Sequence, residues 1–393
     1  MNALGAFATQ ESQRGFAPAV RAATPCTVEF CAPDTLLGNQ AFLAEWDELA
    51  LDASEPNPFA ERWYLAAALI AMDSDGIRIA VVRSDMLVGI IPLKWQNRYA
   101  GLPVKHVQNW LNHNAFLGTP LVRKGAETAF WAALLEKLDQ DAGGAMFLHL
   151  TSMAAQGSVA TALTTLCRKE HRRHALVQHE ERALLEKGLS PDAYLEAHVR
   201  GKKRKELRRQ HKRLAEEGIL SFERSEGSEA LDMWIDEFLG LEKAGWKGAN
   251  GSALASAPET AALFRQCLAG AAAAGKLERL TLKLDGRAIA MLANFLSAPG
   301  AFSFKTAFDE SYARFSPGVL IQIENLALLE RRGIDWCDSC AAQDHPMIDS
   351  LWAGRRSVGR YSVAIGGTVR RAAFAALLTA ECAKAKFKGK KVK

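Results

Sequence analysis

The spacing of apolar and polar positions divides the chain into alternating helical and extended segments. Residues 40–72 carry two apolar stretches at helical spacing, and Pro56 and Pro58 between them exclude one continuous helix. Residues 77–95 alternate as a β-hairpin with its turn near Ser84. Further helices are predicted at 127–141 and 158–170, and further strands at 145–150 and 174–178. These segments together predict one α/β unit.

A second α/β unit is predicted from Ser190 onward, where Ser190-Pro191 is a helix-start signal. Residues 277–297 form the clearest hairpin pattern, with a turn at Asp285-Gly286. Further helices are predicted at 228–244 and 259–274, and further strands at 301–308 and 334–339. We therefore predict a disordered leader at 1–25, an N-terminal lobe at 26–185, a C-terminal lobe at 186–375 and a basic tail at 376–393.

The corner between the strand at 301–308 and the next helix has residues suited to an anion. Ser316 suits the N-cap, Pro317 the first helical position, and Gly318 leaves room for a ligand. The amides of Gly318, Val319 and Leu320 are expected to be unpaired and to face a phosphate. An ordinary helix start is the alternative. This helix is expected to reach Arg331 and Arg332, with Gly333 just beyond.

Composition indicates a globular protein that remains in the cytoplasm. The chain has 393 residues, of which 49% are hydrophobic and 24% charged, enough for two cores. No apolar run has the length of a membrane-spanning helix, and the N-terminus lacks the pattern of a secretory signal. The seven cysteines are scattered, as expected for reduced thiols. A peripheral position at the inner membrane face stays open.

Residues 200–213 form a strongly basic helical segment. They include nine lysines and arginines, and Leu207 is the one apolar position among them. Such charge density predicts a phosphate-bearing partner, which could be a carrier protein, tRNA, an anionic lipid or the phosphates of a coenzyme. No DNA-reading motif accompanies the segment, so DNA is not predicted as a partner. The sequence leaves the oligomeric state open.

Acid–base chemistry is predicted in the segment after the strand at 334–339. His345 suits a general base at neutral pH, and Asp338 or Asp349 suits a carboxylate that orients it. The alternative is a loop in which the acidic residues cap turns. Cys337 and Cys340 form a CxxC pair, but no second pair accompanies it, so no metal site is predicted.

Four further residues are candidates for substrate contact. Lys305 lies in an otherwise apolar strand, where a charge seeks a partner or a ligand. Glu310 follows it and is expected to orient substrate or to hold the loop by an ion pair. Trp246 and Lys247 offer an aromatic plate and a cation in a glycine-rich loop, for a sugar ring or an acyl chain. A solvated loop edge for Glu310 and a hydrophobic contact for Trp246 are the alternatives.

Several stretches resemble known transferases. They are EWDELALDASEPNPF, RKELRRQHKRLAEEG, EKAGWKGANGSAL, LKLDGRAIA, KTAFDESYARFSPGVL and DSCAAQDHPMIDSLW, and they span most of residues 40–360. In these stretches the chain resembles CelD-like proteins of the GNAT (Gcn-related N-acetyltransferase) superfamily, acetyltransferases linked to cellulose or exopolysaccharide biosynthesis. These are similar to Fem aminoacyl transferases, which pair two GNAT-like lobes. The GNAT acyl-CoA loop is Gln or Arg, two residues, Gly, one residue, then Gly or Ala. Here the loop is shifted by one residue and lacks the final small residue.

The resemblance implies an α/β fold of tandem GNAT-like lobes, each a mixed, mostly antiparallel sheet flanked by helices. It implies direct transfer of an acyl group from acetyl-CoA or another acyl-CoA to an amine or hydroxyl of a small molecule or saccharide, with the C-terminal lobe active. The implied donor-binding residues are Arg314, Ser316, Gly318, Val319 and Leu320. A Fem-like transferase that uses aminoacyl-tRNA and an inactive assembly subunit of a polysaccharide machine are the two alternatives.

Overall fold

The computed structural model describes residues 25–389, with side chains described as far as residue 379. Its strands are β1 (Thr27–Cys31), β2 (Ile77–Arg83), β3 (Leu87–Gln96), β4 (His106–Asn109), β5 (Leu121–Val122), β6 (Phe147–Ala154), β7 (His174–Glu186), β8 (Leu220–Glu226), β9 (Leu277–Leu284), β10 (Arg287–Ser297), β11 (Gly300–Phe308), β12 (Trp336–Asp338) and β13 (Gly354–Ala364). Its α-helices are α1 (Pro33–Leu37), α2 (Gln40–Leu51), α3 (Arg62–Ala71), α4 (Glu127–Gln140), α5 (Ser158–Lys169), α6 (Pro191–His198), α7 (Gly201–Glu216), α8 (Leu231–Ala244), α9 (Trp246–Ala249), α10 (Pro258–Ala273), α11 (Pro317–Glu324) and α12 (Thr368–Gly389).

One mixed sheet runs through both halves of the described chain. Its strand order is β1-β2-β3-β4-β6-β13-β7-β12-β11-β10-β9-β8, with β5 paired to β3. Neighbours are antiparallel except for β4 with β6 and β11 with β12, which are parallel. Because helices flank this sheet, the predicted α/β fold with a mixed, mostly antiparallel sheet is confirmed.

The two halves of the chain meet through exchanged strands. The last strand, β13, lies between β6 and β7 and pairs with both in antiparallel fashion. In turn β7 pairs with β12. A buried core also joins the halves, because Trp63 and Tyr64 of α3 pack against Phe295 of β10. The boundary of the two lobes at residue 185 stays a prediction.

Most of the helices and hairpins expected from periodicity are present. Both hairpins have their turns where predicted, and the Ser190 side chain caps α6 by accepting a hydrogen bond from the Ala193 amide. The sequence did not reveal β1, β8 or β13. The helix after Gly318 is shorter than predicted, because α11 ends at Glu324 and continues as a 3₁₀ helix over Asn325–Glu330.

The two predicted terminal segments fall mostly outside the described residues. The leader at 1–25 is outside except for its last residue. The basic tail at 376–393 begins inside α12, and residues 390–393 are again outside. In the part of the chain that is described, none of the helices combines the length and apolar character required to cross a bilayer.

Candidate active site

A cavity of about 500 Å³ opens beside β11, between the start of α11 and the segment at 339–348. It forms because β11 and β12 pair over three residues only, from Gly300 with Trp336 to Phe302 with Asp338. Beyond that point β11 continues to Phe308 while β12 ends. The strands therefore part, and the edge of β11 beyond Phe302 lies beside the cavity instead of beside β12.

The start of α11 forms one wall of this cavity, and its geometry differs from the prediction. Ser316 is at the N-cap position but is left-handed, with φ 54°, and its side chain does not cap the helix. The amides of Val319 and Leu320 donate to the Ser316 carbonyl at 2.9 and 3.0 Å, so they are not unpaired. The expectation of three unpaired amides was wrong, because the N-cap carbonyl already accepts two of them. Within the described residues, the Gly318 amide has no acceptor.

Three of the five predicted donor-binding residues line the cavity, namely Ser316, Gly318 and Val319. The other two lie elsewhere. Arg314 is exposed, pairs with Glu217 at 2.8 Å and lies over the Phe315 ring. Leu320 faces the opposite side of α11, toward a second cavity of about 450 Å³ beside α6 and α7.

Lys305 projects from β11 into the cavity and reaches the N-terminal half. Its Nζ donates a 2.8 Å hydrogen bond to Oδ1 of Asn114 and lies 5.1 Å from the ring centre of Phe116. Burial, together with the nearby charge of Lys247, lowers the pKa of Lys305 to about 8. A lysine with this pKa is divided between its charged and neutral forms near neutral pH.

His345 lines the same cavity from the opposite side. Its Nδ1 is buried and has no hydrogen-bond partner among the described residues. Its carbonyl accepts a hydrogen bond of 3.0 Å from the Asp349 amide. The Asp349 carboxylate does not line the cavity, and its Oδ1 is likewise buried without a partner. An imidazole with a free nitrogen can accept a proton from a bound nucleophile.

Asp338 lies at the end of β12, as expected, but it holds strands together. Its side chain is fully buried, and Oδ2 contacts Arg182 of β7 at 2.5 Å and Arg356 of β13 at 3.0 Å. Its Oδ1 accepts from the Cys340 amide at 2.9 Å. Burial raises the pKa of Asp338, but the two arginines offset this and hold it below its ordinary value. Its carboxylate is occupied by these contacts and does not contact His345.

The predicted substrate residues near Trp246 are brought together at the cavity mouth. Trp246 and Lys247 line the cavity, and the Trp246 side chain is 53% exposed. Glu310 does not line it but accepts the Trp246 amide at 2.5 Å, which fixes the loop. Lys247 pairs with the buried Glu242 at 2.8 Å and donates to the Thr306 carbonyl at 3.3 Å. An exposed indole that lines a cavity can receive a flat or ring-shaped polar ligand.

Two helix starts in the N-terminal half, those of α4 and α5, are occupied by the protein's own carboxylates. Glu127 accepts from the Gly125 amide at the start of α4 at 3.0 Å. Glu55 accepts from the Val159 amide at the start of α5 at 2.7 Å. In contrast, the first turn of α11 contains no acidic residue. A ligand anion would compete with carboxylates at α4 and α5 but not at α11.

The cysteines near the cavity are buried thiols. Cys337 and Cys340 are free, and burial raises the pKa of both, with Asp338 adding to the rise at Cys340. Among the described residues, no group of three or more His, Cys, Asp or Glu side chains is arranged to hold a metal ion.

The sequence missed several residues that build the cavity. Asn114 and Phe116 come from a distant loop and gave no local signal. Ser303 and Gln322 did give one, because each is a polar residue at a buried position of an apolar element, with 5% and 2% exposure. A buried polar side chain requires a partner or a ligand, and this signal could have found both.

Comparison with known proteins places this cavity in a recognised domain. Residues 201–345 match the model of an acetyltransferase (GNAT) domain, and these residues contribute most of the cavity wall. The comparison with curated proteins found no match.

Solved structures show the same overall fold at low identity. FemX is 12% identical with a TM-score of 0.53, over 81% of this chain and 95% of that one. A conserved protein of unknown function from Bacteroides thetaiotaomicron VPI-5482 is 11% identical with a TM-score of 0.52, over 82% and 97%. The C-terminal domain of a proposed lysylphosphatidylglycerol synthetase from Agrobacterium fabrum is 16% identical with a TM-score of 0.51, over 84% and 95%. Residues 201–345 therefore match an acetyltransferase (GNAT) domain, the chain shares its overall fold with these structures, and the cavity lies mainly within the matched domain.

Proposed function

We propose that this protein transfers an acyl group from an acyl-CoA to an amine or hydroxyl acceptor in the cavity beside β11. The observation that carries the proposal is the convergence of three groups on one cavity. These are the open Gly318 amide at a helix start, the Lys305 amine and the unpartnered His345 imidazole. A helix start attracts the pyrophosphate of the donor, and the two side chains meet the reacting groups.

The chemistry is a direct transfer. The acceptor nitrogen or oxygen attacks the thioester carbonyl carbon, its proton passes to the imidazole of His345, and the carbon–sulfur bond breaks. The departing thiolate then takes up a proton. Lys305 holds the acceptor in position through its amine, which is within reach of both the strand and the loop from the N-terminal half. No covalent enzyme intermediate is required.

The acceptor is proposed to be a saccharide or another small polar molecule of polysaccharide or cell-envelope biosynthesis. Trp246 supports this class, because an exposed indole at the cavity mouth suits stacking against a sugar ring. The exposed cations of α7 are proposed to meet a phosphate-bearing partner, and contact with the inner membrane face is one form of this.

Aminoacyl-tRNA is a second candidate donor. Helix α7 favours it, because its lysines and arginines are mostly exposed, and within the described residues Arg209 forms an ion pair only with its neighbour Glu206, at 2.6 Å. A polyanion would satisfy these cations. FemX and the synthetase domain share the fold at low identity, which leaves the choice of donor to experiment.

Calorimetric titration of the full chain with acetyl-CoA, longer acyl-CoAs and unacylated tRNA separates the two donors. We expect binding of an acyl-CoA that weakens at least tenfold in Gly318→Glu, because this variant places a carboxylate at the anion corner. Gly318→Ala is the matched control, since its Cβ adds no charge and would lie 3.1 Å from Cδ1 of Phe308 and 3.3 Å from Sδ of Met347, which are side-chain atoms. If the wild-type protein binds tRNA but no acyl-CoA, acyl-CoA is excluded as the donor.

His345 is tested by turnover. His345→Gln keeps a polar side chain but removes the basic nitrogen, and we expect kcat to fall about 100-fold or more with little change in donor affinity. Full turnover in this variant would exclude His345 as the base.

A further inference from the structure

A line of buried polar side chains connects the outer part of the sheet with the cavity. It begins at Glu278 of β9 and passes through the core beneath α11. Its inner members are at most 2% exposed, although apolar residues surround them. In order, the members are Glu278, Asn294, Asn325, Gln322 and then the two hydroxyls of Ser303 and Thr306.

The first member fixes the direction of every hydrogen bond in the line. Glu278 lies between Arg224 at 2.8 Å and Arg331 at 3.0 Å, and a carboxylate that pairs with two guanidinium groups accepts hydrogen bonds and donates none. Asn294 must therefore turn its NH₂ group to Glu278, at 2.8 Å. The opposite orientation would place two acceptor oxygens against each other. The Oδ1 of Asn294 is left buried without a partner, a cost that the contact with Glu278 outweighs.

The same direction of hydrogen-bond donation continues from residue to residue toward the cavity. The same NH₂ group of Asn294 donates to Oδ1 of Asn325 at 2.7 Å, so Asn325 turns its own NH₂ group to Gln322, at 3.2 Å. Gln322 must then present its NH₂ group to the hydroxyls of Ser303 and Thr306, at 3.0 and 3.4 Å. Each amide has one donor side and one acceptor side, and this is why a single carboxylate orients the whole line.

Both hydroxyls consequently accept a hydrogen bond from the protein and retain their own hydrogen. Within the described residues, neither hydroxyl hydrogen has an acceptor, and both residues line the cavity. The two hydroxyls face the same side of β11 because the strand contains a β-bulge. Ala293 of β10 pairs with Lys305 and Asn294 pairs with Ser303, so Phe304 is an extra residue without a partner on β10. Such a bulge brings positions 303 and 306 to one side of the strand.

We propose that Ser303 and Thr306 form a pair of hydrogen-bond donors for the carbonyl oxygen of the acyl group, and that Glu278 sets their direction through the buried line. This role rests on the proposed acyl transfer. The carbonyl oxygen gains negative charge when the acceptor attacks, and donors that are already oriented stabilise it without rearrangement. Ser303 and Thr306 contact the substrate, whereas Gln322, Asn325, Asn294 and Glu278 are positioning residues.

Substitutions at Gln322 and Ser303 distinguish the direction of the hydroxyl hydrogens from the mere presence of the hydroxyl groups. Gln322→Glu keeps the shape but replaces the donating NH₂ group by an acceptor, so both hydroxyls turn their hydrogens away from the cavity. We expect Gln322→Glu and Ser303→Ala each to lower kcat about 100-fold with KM for the acyl donor changed less than threefold, as for loss of an oriented donor. Ser303→Thr, which keeps the hydroxyl, is expected to restore most of kcat.

Ser297→Ala is the matched control, because it removes a buried hydroxyl of β10 that contacts Glu61 and does not line the cavity. It is expected to keep full turnover per folded molecule. If the wild type is active and Ser303→Ala has the same kcat, the proposal is wrong.

Neutron diffraction from crystals exchanged into D₂O tests the direction without any acyl donor. We expect the Ser303 and Thr306 deuterium atoms to point into the cavity and the two Gln322 amide deuterium atoms to face the hydroxyls. A Ser303 deuterium directed at Gln322 would overturn the proposal whatever the activity. If the wild-type protein neither binds nor turns over an acyl-CoA, the proposed function is wrong, and so is the role assigned to Ser303 and Thr306. The neutron result would still decide the orientation of their hydroxyl groups.

Discussion

Nζ of Lys305 lies 2.8 Å from Oδ1 of Asn114, and this hydrogen bond joins two residues that are 191 positions apart. Lys305 belongs to β11, whereas Asn114 belongs to the loop between β4 and β5. Phe116 of the same loop covers the amine, with its ring centre 5.1 Å from Nζ. The cavity is therefore built from both halves of the chain, and the N-terminal half shapes the surroundings of Lys305.

The contact with Asn114 predicts an effect on the pH dependence of turnover. Asn114→Asp places a negative charge beside Lys305 and should raise its pKa by about one unit or more. Asn114→Ala removes the acceptor without adding charge and should raise KM for the acceptor about tenfold, through lost orientation of Lys305. The pH profiles of kcat/KM for wild type and both variants check this. Identical profiles in wild type and Asn114→Asp would show that Lys305 does not titrate in the reaction.

The lowered pKa of Lys305 also predicts a pH dependence of stability. Its pKa is about 8 in the folded protein, against an ordinary value of 10.5. Between these values the unfolded chain binds more protons than the folded one, so the free energy of unfolding should rise as pH increases from 8 to 10.5. We expect a contribution on the order of 2 kcal/mol, which Lys305→Met should abolish. Urea unfolding of the wild type and of Lys305→Met at pH 7.5 and 10 measures this contribution. The titratable groups that both proteins share cancel in the difference between them.

Asp338 is expected to matter for stability more than for chemistry. Asp338→Asn leaves Arg182 and Arg356 buried with an uncompensated charge, so the free energy of unfolding should fall by about 3–5 kcal/mol. Turnover per folded molecule should stay within about threefold of wild type. Asp349→Asn is the matched control, because Asp349 forms no ion pair in the described structure. A large loss of kcat in folded Asp338→Asn protein would restore a catalytic role for this carboxylate.

His149 predicts a second pH effect, at the acid side. It is 5% exposed, its Nδ1 lies 2.9 Å from Oγ of Ser362, and burial together with the charges of His106 and Arg360 lowers its pKa to about 4. The unfolded chain binds a proton near pH 6.5 and the folded chain does not, so stability is full above pH 6.5 and is lost as pH falls toward 4. We expect this loss to reach on the order of 3 kcal/mol and to be much smaller in His149→Gln. Denaturant midpoints at pH 7 and 4.5 test it.

The cations of α7 predict a salt-dependent interaction. Lys202, Lys205 and Lys212 are exposed on this helix. Replacing all three by Gln should weaken binding to tRNA or to anionic vesicles and lower the slope of log affinity against log salt by about 2–3. Zwitterionic vesicles serve as the control surface. Equal binding by wild type and the triple variant would exclude α7 as the contact.

The local pattern of the sequence determined the elements and much of the candidate site. The hairpin at β9 and β10 follows from alternation and from Asp285-Gly286, and α6 follows from the Ser190 cap. The stretch from Lys305 to His345 could be selected in advance, because unusual residues stand inside otherwise regular patterns. Gly318 could be assigned to a helix start for the same reason, since capping signals act over three or four residues.

Only the tertiary structure decided which of these residues meet. The insertion of β13 between β6 and β7, and the pairing of Asp338 with Arg182 across 156 positions, leave no trace in local periodicity. The orientation of Ser303 likewise depends on Glu278, which reaches it through residues from three separate elements. Periodicity reports how one segment meets the core, whereas the partner of a buried charge or amide is set by whichever distant segment packs against it. The sequence alone therefore determined where chemistry could occur, and the packing of distant segments decided which groups face the cavity.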